Sequence, residues 1–232
     1  MQKPPSGDGK NCLRFIRGHS AMENKVIEII EKHPRAIRWM HWINFPMIMI
    51  MIWSGIQIYW ANIAYLPIPK FIENFFDIPS NLANGLGWHF FLMWIFILNG
   101  LLFVSYLWIT GEWRTLRPGR GAFKDAILVT LHELHLRKTA PHSENKFNAA
   151  QRIAYSSVIF MGAGSVITGL AIYKPAQLHL LTTLVGGYEA ARLEHFCLMI
   201  GFILFFLIHV SEVMRAGWNN FRAMVTGYEI KK

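Results

Sequence analysis

Four stretches of about twenty apolar residues, at 37–60, 86–109, 153–173 and 193–214, constrain this chain more than anything else in it. At ~1.5 Å of rise per residue each can cross ~30 Å of hydrocarbon as a helix. Inside a bilayer the backbone can satisfy its polar groups only within helices or a closed barrel, and unbroken apolar runs of this length specify helices. Composition agrees: only 16% of residues are charged, against roughly 25% in soluble domains. The expected fold is all-α, an integral membrane four-helix bundle.

The net charge of +9 is not read first as nucleic-acid affinity, because most of it lies between the spans. Residues 1–36 hold seven Lys and Arg, 61–85 hold Lys70 alone, 110–152 hold eight, 174–192 hold Lys174 and Arg192, and the tail from 215 holds four. Under the positive-inside rule both termini and the 110–152 segment are cytoplasmic, and 61–85 and 174–192 face outward. Three regions follow: a basic cytoplasmic extension (1–36), a four-span domain (37–214) and a cytoplasmic tail (215–232). Residues 1–36 contain no apolar signal-peptide core, so insertion is expected to rely on the first span. Residues 121–137, GAFKDAILVTLHELHLR, have helical spacing without membrane length and are expected to form a short cytoplasmic interfacial helix. LPIPKFIENFFDIP, residues 66–79, is expected to lie at the outer surface, dipping into headgroups or meeting a partner.

Ten histidines are present, and His19, His33, His132, His135, His142 and His179 fall in loops or near interfaces. The other four, His41, His89, His195 and His209, fall in the spans. An ionisable group in lipid is costly and usually faces the bundle interior with a function. Topology sorts these four by depth. His41 opens an outward-running span and His209 closes an inward-running one, so both lie toward the cytoplasm. His89 and His195 open inward-running spans, so both lie toward the outside. His195 and His209 are 14 residues apart, about 3.9 turns, on one helix face and ~21 Å apart. Imidazole is an axial ligand of haem iron, and two histidines from facing helices can clamp one iron. The expectation is two b-type haems stacked across the bilayer, ligated by His41/His209 and His89/His195. Such six-coordinate centres suit electron transfer. Covalent haem is unsupported, because no C-x-x-C-H occurs.

Neighbouring residues fit planar macrocycles. Gly55 follows His41 by 14 residues and Gly100 follows His89 by 11, each at the depth of the other pair. Glycine there would let a haem approach the backbone; a close helix contact is the other reading. Arg38 and Arg192 each precede a ligand by three residues and would pair with a haem propionate, or simply snorkel at span ends. Met199, Phe202 and Phe206 share the ligand face of the last span. The third span has no histidine but carries MGAGSVITG, 161–169, suited to close packing.

RWMHW at 38–42, GWHFF at 87–91 and the H-x13-H of RLEHFCLMIGFILFFLIHV resemble the bacterial dihaem cytochrome b561 family, over about residues 34–228. That family includes the membrane cytochrome b subunits of nickel-iron hydrogenases, formate dehydrogenases and thiosulfate-reductase-type enzymes. The resemblance implies a bacterial inner-membrane subunit that links an extracytoplasmic catalytic oxidoreductase subunit to menaquinone or ubiquinone, with a molybdopterin-type partner favoured. KFNAAQR, 146–152, resembles the stretch leading into the third span of formate dehydrogenase cytochromes, which implies that Asn148 and Gln151 hydrogen-bond a quinone carbonyl. Asn148 as a helix cap is the alternative. His132 and His135 are candidates for a proton relay nearby.

Rival classes fit less well. A zinc or di-iron enzyme needs clustered ligands such as H-E-x-x-H, and HELH lacks that spacing. A transporter would want broken helices and polar midplanes. A stand-alone cytochrome b561-type quinone oxidoreductase and a hydrogenase cytochrome b remain the nearest alternatives.

Overall fold

The computed structural model describes residues 28–61, 69–75, 82–133, 136–139 and 147–231. Most of the basic extension, both ends of the 66–79 segment and His135 lie outside the described residues. The elements run β1 (Glu28–Glu31), α1 (Arg35–Trp60), α2 (Lys70–Phe75), α3 (Leu82–Thr110), α4 (Trp113–Leu116), α5 (Ala122–Glu133), α6 (Ala149–Tyr173), α7 (His179–Leu184), α8 (Tyr188–Thr226) and β2 (Tyr228–Lys231).

The four apolar runs become α1, α3, α6 and α8, each long and apolar enough to cross a membrane. All four start two to five residues before their apolar run, and α8 also ends well past its own. Hydropathy marks only the part of a helix in hydrocarbon, whereas backbone hydrogen bonding continues into the interface. Within α8, Gly217 has φ 79° and ψ 174°, which breaks the helix before its last turns. A left-handed φ suits glycine, which has no Cβ to clash.

The distribution of side chains is the reverse of a soluble protein's. The most enclosed, at 3% exposure or less, are small or polar: Ser54, Gln57, Ala122, Thr168, Ala171, Ala191 and Ala223. The bare surface is large and apolar, with Phe160 76% and Ile109 82% exposed. Water would penalise that arrangement at every such residue. Hydrocarbon does not, and it drives polar groups inward to find partners.

The chain divides into two units. In the larger, Ile43–Ile208, helices meet through small residues and rings. Asn99 donates to Asn44 Oδ1 at 2.7 Å, joining α3 to α1. Tyr59 stacks on Phe196, centroids 4.0 Å apart, joining α1 to α8. Gly164 lets Leu198 of α8 approach α6. The Ser156 hydroxyl donates to the Leu116 carbonyl, tying α6 to α4, and Thr182 donates from α7 to Ala171 of α6.

The smaller unit comprises Met1–Trp42 and His209–Lys232. Here β1 and β2 pair antiparallel, with Ile29 opposite Ile230 and Glu31 opposite Tyr228. Lys32 fastens the pair by donating to Asn220 Oδ1 at 2.8 Å and Glu229 at 3.0 Å. Gly227, at φ 95°, makes the turn from α8 into β2, and its carbonyl accepts from the Lys32 amide. Trp42 Nε1 donates to the Met224 carbonyl.

Candidate functional site

The four span histidines form two pairs, and the partners are those expected from depth. In the larger unit His89 of α3 faces His195 of α8, with ring centroids 6.1 Å apart and planes at 70°. In the smaller unit His41 of α1 faces His209 of α8, with centroids 6.0 Å apart and planes at 58°.

That separation has a chemical meaning. Two imidazoles that held one iron between them, with bonds of about 2 Å and roughly 1.2 Å from nitrogen to ring centre, would have centres about 6.4 Å apart. A direct hydrogen bond between two imidazoles would draw the centres to about 5 Å. Among the described residues no group of three or more His, Cys, Asp or Glu side chains could hold a metal. A pair of imidazoles completes an iron's coordination only when a macrocycle supplies the other four donors. The residues present therefore fit haem b.

The His89/His195 pair sits in hydroxyls and glycines. Ser54 Oγ lies 3.0 Å from His89 Nδ1, and Thr168 Oγ1 lies 2.9 Å from His195 Nδ1. A Cβ built at Gly55 would meet His89 Cε1 at 3.6 Å and Met199 Sδ at 3.7 Å; one at Gly169 would meet His195 Cε1 at 3.2 Å. The 3.6 Å at Gly55 is ordinary contact, whereas the 3.2 Å at Gly169 is tight. At Gly100 a Cβ would meet nothing within 4 Å. In the other pair His41 packs edge-on against Trp42, and its Nδ1 is buried without a hydrogen-bond partner.

The two arginines are both engaged. Arg38 Nη1 donates to the Val225 carbonyl at 2.6 Å, and its guanidinium rests over Gly227. It thus meets the negative end of the helix that precedes β2. Arg192 pairs with Glu189 at 3.2 Å and lies over the Tyr188 ring. Asn148 and Gln151 form a capping box: Asn148 Oδ1 accepts from the Gln151 amide at 2.8 Å, and Gln151 Oε1 accepts from the Asn148 amide at 3.1 Å. Their carbonyl oxygens serve the helix end, while each side-chain NH2 keeps two protons to offer. His132 Nδ1 lies 3.0 Å from the Arg137 carbonyl.

Sequence reasoning missed Ser54 altogether, and saw Thr168 and Gly169 only as packing residues. A signal was there: each hydroxyl interrupts a membrane-length apolar run, and a polar group in hydrocarbon needs a partner. Asn44 with Asn99 could have been found in the same way.

Membrane-length helices with imidazoles paired across them define a class, the membrane-embedded b-type cytochromes. The family model for prokaryotic cytochrome b561 matches residues 32–227, and the chain belongs to that family. It is a multi-pass membrane protein that binds haem b and serves electron transport. It is also similar to an Azospira oryzae protein named "Putative protein-methionine-sulfoxide reductase subunit YedZ1", 33% identical over 187 residues that cover 80% of this chain and 91% of that one.

Proposed function

We propose that this chain is a dihaem cytochrome b that carries electrons across the bacterial inner membrane, between quinone and an extracytoplasmic oxidoreductase subunit. One observation carries the reading: two imidazole pairs, with ring centres 6.1 and 6.0 Å apart, share a helix that supplies one member to each. His89 and His195 ligate the haem nearer the outside, and His41 and His209 the one nearer the cytoplasm. Bound haem b supplies a reversible one-electron carrier at each pair. The protein's own part is to fix the ligands, exclude water and set the electrostatics. Gly55 and Gly100 lie alongside the macrocycles. Arg38 and Arg192 exchange part of their present bonding for a propionate, a charge-assisted contact. The amide protons of Asn148 and Gln151 reach a quinone carbonyl.

The Azospira relative carries the name of a reductase subunit, which supports a catalytic partner over a stand-alone oxidase. The resemblance of this chain's tail-to-span layout to that of cytochromes paired with molybdopterin oxidoreductases supports a molybdopterin-type partner over a hydrogenase. The charge asymmetry of the loops supports cytoplasmic termini, and the same boundaries divide the chain into extension 1–36, span domain 37–214 and tail.

A pyridine haemochrome spectrum of the detergent-purified protein, with protein quantified independently, tests the reading. Two b haems per chain are expected, and none sinks it. His209→Ala should remove one haem and quinone reactivity while sparing much of the other. Loss of the His89/His195 haem alone would refute the pairing. Co-purification of a second polypeptide separates a complex subunit from a stand-alone oxidoreductase.

A further inference from the structure

The two outer-pair histidines are held by the same local device on two different helices. Ser54-Gly55 of α1 cradles His89, and Thr168-Gly169 of α6 cradles His195. In each dipeptide the hydroxyl meets Nδ1, and the glycine clears the adjacent Cε1 edge of the ring.

The direction of these hydrogen bonds follows from proton bookkeeping. A hydroxyl has one proton and two lone pairs. Ser54 Oγ is 3.1 Å from the Met51 carbonyl, and a carbonyl can only accept, so the Ser54 proton goes there. Thr168 Oγ1 is 2.8 Å from the Gly164 carbonyl and 3.4 Å from that of Ser165, so its proton is spent on α6. What each hydroxyl presents to the imidazole is a lone pair, beside a backbone carbonyl that also accepts from the ring, that of Met51 for His89 and that of Ser165 for His195. The contact is then a hydrogen bond only if Nδ1 carries the ring proton. In a neutral imidazole that leaves Nε2 bare, with its lone pair free for a metal.

We infer that Ser54 and Thr168 are positioning residues that lock His89 and His195 in the Nδ1–H tautomer and raise the basicity of their Nε2 atoms toward iron. The inference rests on the haem ligation proposed above. It also gives a task to α6, the span without a histidine: it supplies the acceptor that orients a ligand of α8. Ser54 and Thr168 meet only His89 and His195; in the other pair His41 Nδ1 is buried with no hydrogen-bond partner. An acceptor at Nδ1 makes an imidazole a stronger donor to its metal, and stronger donation stabilises the ferric form and lowers the reduction potential. The device therefore acts on one haem of the two.

The test is spectroelectrochemical titration of the detergent-purified holoprotein, with haem counted per chain in every sample. The variants are Ser54→Ala, Thr168→Val, their double combination, and the hydroxyl-keeping Thr168→Ser and Ser54→Thr. The expected result is a rise in the midpoint potential of one haem in each single variant. The same haem rises further in the double variant, and the other haem stays at its wild-type value. Thr168→Ser should titrate as wild type. Unchanged potentials in a double variant that keeps both haems would overturn the inference, and so would an equal rise in both haems. If Thr168→Val sheds a haem, Thr168→Ser decides: full haem content there supports the inference, and loss there as well overturns it. A wild-type count other than two fails the dihaem reading instead, and it is read before any variant is made.

Discussion

At the scale of single residues, the His89/His195 pair depends on an atom that is missing. Gly169 and Gly55 both abut an imidazole, but not equally: a Cβ would stand 3.2 Å from His195 Cε1 in one case and 3.6 Å from His89 Cε1 in the other. The longer distance is ordinary contact, whereas the shorter forces the ring or the helix to yield. Overpacking of that kind costs about 1–3 kcal/mol. Gly169→Ala should therefore lower haem occupancy or shift the spectrum of one haem, while Gly55→Ala should stay close to wild type. The haem-to-protein ratio and the reduced-state spectrum check this, and the reverse order would place the tight contact at the wrong ring. The histidines were legible in the sequence because an ionisable side chain in lipid demands a reason, and their places in the spans suggested which two would face each other. Ser54 was not legible. A lone hydroxyl in a span can bond back to its own helix, and only the folded neighbours reveal that Nδ1 of another helix shares it.

At the scale of elements, α6 shows two demands meeting at one helix end. Asn148 and Gln151 close a capping box there, yet both are also the residues proposed to face quinone. The two roles use different atoms and can be separated. Asn148→Ala removes the cap, an expected loss of about 1 kcal/mol. Asn148→Asp keeps the accepting oxygen, since Asp caps as well as Asn, but it removes the amide protons. Thermal denaturation in detergent should therefore fall for Asn148→Ala and hold for Asn148→Asp, while quinol oxidation falls in both. Unimpaired quinol oxidation in Asn148→Asp would leave the residue a cap and nothing more. Element existence was well marked by sequence: all four spans and the amphipathic α5 stand where hydropathy put them. The first turns of α3 and α6 were not, because they carry polar and small residues that hydropathy ignores and backbone hydrogen bonds do not. Likewise α7, six residues between α6 and α8, is too short to leave a period.

At the scale of the whole molecule, the pairing of β1 with β2 brings the two ends of the described chain together. Its signal in the sequence is four residues at each end, with partners about two hundred residues apart, and neither run is long enough to mark a strand by alternation. Its consequence is topological. Strands that exchange hydrogen bonds lie on the same side of a membrane, which an even number of spans requires and an odd number forbids. The four apolar helices satisfy that condition. The Lys32–Glu229 ion pair at 3.0 Å and the Arg38–Val225 contact fasten the same ends. Loop charge then selects which side it is. With seven basic residues in 1–36 and eight in 110–152, against Lys70 alone in 61–85, the positive-inside rule leads us to expect that side in the cytoplasm. Alkaline phosphatase, active only after export, and green fluorescent protein, fluorescent only when left in the cytoplasm, can each be fused to either terminus. Both ends should give fluorescence without phosphatase activity, and a phosphatase fusion after residue 75 should be active. Opposite reports from the two ends would break the strand pairing and the span count together. Matching reports of the opposite sense would keep the fold and invert it, moving the His41/His209 haem to the outside.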